Sequence, residues 1–249
     1  MRGLFITGTD TNVGKTVVAA AILHRYREHI ELRYWKPIQT GIEESDDTRD
    51  VRYLGTCGES EILDSGIRLS RPLSPHLSAR LSGTRIELQH LMGIAASAAS
   101  GRELRWLVEG AGGALAPINE TEFMVDLMKQ LGLPILVVAR SSLGTINHTL
   151  MTLETLRLRD LLVAGVVMVG EKNSANREAI ENFGHVDIVG ELPVISPLMP
   201  ESLRAWARAE LDPHGLLMKC FEVESRSVSE SAVKPQRSEP RPSGSGRSS

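Results

Sequence analysis

The sequence has only two cysteines, Cys57 and Cys220, which lack both the paired spacing of a zinc site and the density of a secreted disulfide scaffold. Reduced thiols without visible chemistry are the expectation. No apolar run reaches the roughly 18 residues a membrane span requires, and the first, residues 3–7, is too short for a signal peptide. Charge of one sign is also scarce: 28 Lys and Arg stand against 31 Asp and Glu, a formal net charge of −3. That balance provides no basic field for nucleic acid or an anionic membrane and points to a small-molecule partner. Cytoplasmic localisation follows as an expectation, and no internal repeat is visible.

What is present suits one globular unit. Of the 249 residues 41% are hydrophobic and 24% charged, enough to bury a sizeable interior. Short apolar runs at residues 4–7, 32–36, 104–109, 135–139, 161–169 and 186–189 alternate with helical periodicity over 17–29, 87–100, 123–131 and 146–158. Alternation of this kind predicts parallel strands joined by crossover helices. The runs at 107–109 and 135–139 lack polar alternation, as strands covered on both faces do. The predicted fold is therefore α/β, a doubly wound and mostly parallel sheet flanked by helices. From about residue 222 the composition turns to Ser, Arg, Pro and Gly, too poor in large apolar residues to order itself. The expected division is a domain at 1–220 and a disordered tail at 221–249.

The strand-like segment at 4–7 leads into Gly8-Thr9-Asp10-Thr11-Asn12-Val13-Gly14-Lys15-Thr16 and then into a helical stretch beginning at Val17. Strand, glycine-rich loop and helix are the context of a phosphate-binding loop. Gly8 and Gly14 let the backbone wrap an anion with its N–H groups inward, and the helix N-terminus adds its dipole. Lys15 then reaches the β and γ phosphates, and the Thr16 hydroxyl offers a hard oxygen to Mg²⁺. Five residues separate the two glycines rather than the usual four, which makes this a variant loop, and it predicts a P-loop NTPase fold that binds a nucleoside triphosphate with Mg²⁺.

Three further segments carry candidate chemistry. Trp35-Lys36-Pro37-Ile38-Gln39-Thr40-Gly41 ends the second predicted strand, on the edge where open α/β sheets bind ligands. From spacing alone Lys36 also reads as a solvated lysine beside a Pro-Gly turn. Asp46 and Asp47, in a polar loop, read equally as a solvated charge pair or helix cap and as metal ligands. Glu109 closes the run Trp106-Leu107-Val108, where a charge is costly to bury unless it is paired or bound to metal. Lys15 and Lys36 are both expected to be peripheral to the buried sheet, and so replaceable without unfolding.

Taken in order, the phosphate loop, Lys-Pro-Ile-Gln-Thr-Gly (36–41), Val-Glu-Gly-Ala-Gly-Gly (108–113) and Leu-Gly-Thr-Ile-Asn-His-Thr (143–149) resemble the dethiobiotin synthetase family, with Pro72, Pro75 and His76 in a matching intermediate stretch. The likeness spans roughly residues 1–210. It implies that 7,8-diaminononanoate, CO₂ and MgATP give dethiobiotin, ADP and phosphate in biotin biosynthesis. A substrate amine becomes a carbamate, its oxygen takes the γ-phosphoryl group as a carbamic-phosphoric anhydride, and the second amine closes the ureido ring.

By the same resemblance Lys15, Lys36 and Thr11 are catalytic, and Thr11 and Thr40 touch the amine end of the substrate. Asn12, Val13, Gly14, Lys15, Thr16, Val17, Asp47, Glu109, Gly110, Ala111 and Gly112 bind MgATP, with Thr16, Asp47 and Glu109 on the metal. Asp47 is taken over Asp46 because it stands just before the helical stretch at 48–51. Where the family carries a base-recognising Asn at a strand end, this chain has Val169; Asn173 is the nearest candidate, with Pro193, Val194 and Ile195 as the second base-contacting loop. Gly144, Thr145 and Asn147 are implied to bind the substrate carboxylate across a homodimer interface.

Two other readings compete with this one. The nucleotide domain of a cobyrinate amidase normally needs a glutamine-processing domain, for which no room exists. A ParA or MinD type of ATPase switch carries an extra lysine five residues before the loop lysine, a position held here by the acid Asp10.

Overall fold

The computed structural model describes residues 1–100 and 104–222, so the expected disordered tail lies, save for its first two residues, outside the described residues. In chain order the elements are β1 (Arg2–Gly8), α1 (Lys15–Tyr26), β2 (Leu32–Trp35), β3 (Ile38–Thr40), α2 (Asp47–Leu54), β4 (Ile62–Leu63), β5 (Ile67–Leu69), α3 (Pro75–Leu81) and α4 (Leu88–Ala99). There follow β6 (Arg105–Gly113), α5 (Met124–Leu131), β7 (Ile135–Arg140), α6 (Thr145–Arg157), β8 (Val163–Val169), α7 (Ser174–Gly184), β9 (Ile188–Leu192), α8 (Pro200–Glu210) and α9 (Leu216–Glu222).

Seven strands form one sheet in the order β4-β2-β6-β1-β7-β8-β9, and every pairing in it is parallel. Because successive strand residues point to opposite faces, β1 sends Leu4 and Ile6 to one side and Phe5 to the other. Leu4 and Ile6 join Tyr34, Leu107 and the apolar face of α1, with α8 and α9 packed on the same side. Phe5 joins Trp35, Trp106 and Val108 beneath α4 to α7. Both faces are thus covered, which explains the unbroken apolar runs at the sheet's centre. From β1 the chain first crosses to β2 on one side, returns through β6, and then builds β7 to β9 on the other. The ends of β1 and β6 therefore flank the switch in winding direction, where such sheets bind ligands.

A second sheet of two parallel strands, β3 and β5, stands apart from the main one. Strands of three residues are too short to show a period, so this pair was not predicted from the sequence. The helix α9 also runs past the expected domain boundary. Phe221, assigned by composition to the tail, is fully buried, with its ring edge-on to Tyr26 at 5.4 Å. Asp212 holds that helix by accepting from Leu216 N–H at 2.8 Å and Leu217 N–H at 2.9 Å, and it also takes the Tyr26 hydroxyl. The folded unit accordingly reaches Glu222. Among the described residues no helix is long and apolar enough to cross a membrane.

Candidate active site

A cleft of about 790 Å³ opens at the C-terminal ends of β1 and β6. Its floor is the loop between β1 and α1. Gly14 closes that loop in the left-handed region (φ 98°) as the residue before α1, which leaves the first N–H groups of the helix without a side-chain cap. At Gly8 a side chain is excluded, since a Cβ there would lie 2.7 Å from the Asp10 carbonyl and 3.2 Å from Lys15 Nζ. Asn12 is also left-handed (φ 53°), a conformation that asparagine tolerates better than most residues. The backbone is shaped as a cradle that a phosphate chain fits, with Lys15 Nζ donating to the Asp10 carbonyl at 3.2 Å. Burial first, and then the neighbouring Lys36, push the Lys15 ammonium down to about 8. A bound polyanion would supply the missing counter-charge.

Above the cradle, Lys36, Asp47 and Glu109 converge. Lys36 follows β2 and donates to Glu109 Oε1 at 2.8 Å and to the Gly110 carbonyl at 3.0 Å, while Asp47 Oδ2 stands 2.5 Å from the same nitrogen. Lys36 is 2% exposed and Glu109 0%. The expectation that both lysines are peripheral to the buried sheet is thus corrected: Lys36 is half of a fully buried ion pair, and Lys15 is itself 7% exposed. Burial alone would lower the Lys36 ammonium, but the charges of Glu109 and Asp47 outweigh it and hold its pKa above the usual value. Burial likewise opposes ionisation of Asp47, yet Lys36 holds that carboxyl below its usual range.

Thr16 completes the cluster, donating to Glu109 Oε1 at 3.1 Å. Two carboxylates and a hydroxyl, all hard oxygen donors, suit Mg²⁺, which binds through one or two carboxylates while phosphates and water fill the remaining positions. Among the described residues no three His, Cys, Asp or Glu side chains gather as a metal site by themselves. Asp46 and Asp47 take different roles. Asp46 Oδ1 accepts from Thr48 N–H at 2.9 Å and Arg49 N–H at 3.2 Å as the cap of α2, and Asp47 faces the cleft.

Thr11, Asn12, Lys15, Lys36, Thr40 and Asp47 line the cleft together, as do Ala111 and Gly112. Val13 and Glu109 are buried behind it. The segment at 143–149 behaves differently: of α6, the residues on the cleft are His148, Met151, Thr152 and Thr155, whereas Gly144, Thr145 and Asn147 lie outside the lining of their own chain's cleft. Gly144 is the left-handed residue before α6, Thr145 is buried with its hydroxyl 3.4 Å from that of Thr149, and Asn147 is exposed. Asn173 caps α7 by accepting from Asn176 N–H at 3.0 Å, and Val169 packs against Gly14. Pro193, Val194 and Ile195 follow β9 with Val194 largely exposed.

Two neighbours of the site gave no signal in the sequence. Tyr34 donates from its hydroxyl to Glu109 Oε2 at 2.9 Å, and burial together with the Glu109 charge pushes its own pKa well up. Arg140, at the end of β7, pairs with Asp10 at 3.1 Å and donates to the Thr11 carbonyl at 3.1 Å. Asp10 thus occupies the place of a switch lysine with the opposite charge and ties the loop to the next strand.

A family model described as an AAA domain matches residues 2–202. An ATP-dependent dethiobiotin synthetase of Paramagnetospirillum magneticum is 52% identical over 192 residues, 77% of this chain and 88% of that protein. Its counterpart in Brucella ovis is 42% identical over 200 residues, 80% and 90% of the two chains. Among solved structures, the MinC:MinD cell division complex of Aquifex aeolicus superposes with a TM-score of 0.52 at 12% identity, covering 84% of this chain and 95% of that one. A ParA family ATPase of Chlorobium tepidum gives 0.50 at 15% identity, with 89% and 97% covered. Likeness at such identities is one of fold.

Proposed function

The chain belongs to the family of ATP-dependent dethiobiotin synthetases, and from that premise we propose how its cleft forms dethiobiotin. It is an ATP-dependent ligase of biotin synthesis. The substrates are 7,8-diaminononanoate and CO₂. The observation that carries the assignment of residues is that Lys15, Lys36 and Asp47 line one cleft at the phosphate cradle, with Glu109 buried behind it and bonded to Lys36 and Thr16.

In this reading the loop N–H groups of residues 12–17 and Lys15 hold the triphosphate, and Gly110 to Gly112 border it. Thr16, Asp47 and Glu109 would hold Mg²⁺, which when bound would supply charge neutralisation for the transferring phosphoryl group. Thr11 and Thr40 orient the two amines of the substrate. Lys36 stabilises the carbamate oxygen as it attacks the γ-phosphate and the anhydride oxygens as the second amine closes the ring. No covalent enzyme nucleophile takes part: the gain comes from placing the two amines together and from donors fixed where negative charge develops. Asn173 and residues 193–195 flank the base. The α6 turn of Gly144, Thr145 and Asn147 binds, at the helix N-terminus, the carboxylate of substrate held in the cleft of a second copy, which makes the protein a homodimer. A cytoplasmic enzyme of residues 1–222 with a dispensable tail completes the proposal.

The deciding experiment follows phosphate release by the purified protein with MgATP. Release that requires diaminononanoate and bicarbonate together, with dethiobiotin formed in equal amount, is the expected result. Release indifferent to both would identify an ATPase switch and overturn the assignment.

A further inference from the structure

We propose that Tyr34 is a positioning residue for the nucleotide site, fixing the Glu109 carboxylate so that one oxygen alone faces the phosphate loop. The inference rests on the reading that Glu109 faces the metal, and it concerns how that face is chosen. In the parallel pairing of β2 with β6, Tyr34 stands opposite Leu107. Glu109 is two residues further along β6 and so points to the same side of the sheet. A phenol at position 34 is long enough to bridge that offset, and its hydroxyl meets Oε2 at 2.9 Å.

The division of the carboxylate is complete. Oε1 takes Lys36 Nζ, which lines the cleft, at 2.8 Å and Thr16 Oγ1, next to the phosphate-loop lysine, at 3.1 Å, while Oε2 takes the fully buried Tyr34. Without the phenol, Oε2 would have no donor of its own, and a buried carboxylate would turn to share Lys36 and Thr16 between its two oxygens. Outer partners of this kind set the orientation of a metal-binding carboxylate, and their loss weakens metal affinity by about 10- to 100-fold. The bland alternative is that Tyr34 is a core aromatic whose hydroxyl merely needed an acceptor.

Tyr34→Phe separates the two, because the ring keeps its place among Leu4, Ile6 and Leu107. The readout is the dissociation constant of Mn²⁺ from the protein bound to a non-hydrolysable ATP analogue, counted from the electron paramagnetic resonance of free Mn²⁺, alongside the KM for diaminononanoate. The expected result is Mn²⁺ affinity weakened at least about tenfold with the KM for diaminononanoate within about twofold of the parent. Glu109→Gln is measured in parallel. Unchanged Mn²⁺ affinity in Tyr34→Phe with a large loss in Glu109→Gln overturns the positioning role and leaves the site reading intact. Unchanged affinity in both removes Glu109 from the metal as well. A Tyr34→Phe protein without a cooperative melt, or one in which both constants worsen together, would show a structural hydroxyl and overturn the proposal.

Discussion

Replacing Lys36 by alanine should unfold much of the protein's stability margin as well as its activity. Among the described residues, the substitution removes the only cation within bonding distance of a carboxylate that is itself 0% exposed, and the other partners of Glu109, Thr16 and Tyr34, are neutral hydroxyls. Breaking a buried ion pair from one side costs roughly 3–5 kcal/mol, because the other charge is left in the interior. Asp47, with its side chain 24% exposed, can turn to water and adds little. Against an ordinary domain stability of about 5–15 kcal/mol, the loss is a large fraction. For a chain of this size it lowers the melting temperature by roughly 6–20 °C. The check is thermal and urea unfolding of Lys36→Ala, Glu109→Gln and the double variant. Removing the orphaned charge should recover much of the loss, so the two changes couple by about 2 kcal/mol rather than adding. A Lys36→Ala protein that melts within about 2 °C of the parent, or losses that simply add, would refute the buried-pair argument, and activity measurements on that variant would then report chemistry alone.

The two aspartates should part company: Asp47→Asn raises the Mg²⁺ concentration for half-maximal turnover by at least about tenfold, whereas Asp46→Ala leaves it unchanged and costs about 1 kcal/mol of stability as a lost cap. A magnesium titration of both variants decides this, and the reverse order would reassign the ligand. Truncation after Glu222 should preserve melting temperature and turnover, but truncation after Cys220 removes Phe221 and should cost about 3–5 kcal/mol; equal stability of the two proteins would show that α9 is not part of the core. Asn147→Ala should raise the KM for diaminononanoate and leave that for ATP nearly constant, and sedimentation under assay conditions should show a dimer. Full activity from a monomer would remove the cross-subunit carboxylate site.

The main sheet was legible because its central strands are buried on both faces, so their apolar runs stand out, and because a glycine-rich loop set between one of them and a helix has few other uses. What escaped the sequence depends on pairing between distant segments. Tyr34 and Glu109 are 75 positions apart and meet only through the register of β2 on β6. The same register buries Lys36, whose own neighbours left a site lysine and a solvated side chain beside a turn both open. Phe221 was lost to compositional averaging, since one aromatic beside a Ser- and Arg-rich stretch cannot show that Tyr26 is waiting for it across the fold. The pair Asp46-Asp47 lies between these cases. A helix cap accepts from the N–H groups two and three positions ahead, and the first helical residue cannot cap its own turn in that way. Once the helix is known to start at Asp47, Asp46 is committed to Thr48 and Arg49 and cannot also reach the cleft, so the adjacent carboxylate is the one free to meet Lys36. The ambiguity was therefore one of helix boundary, the quantity that periodicity defines least well, and a single residue of register separates a structural acid from a chemical one.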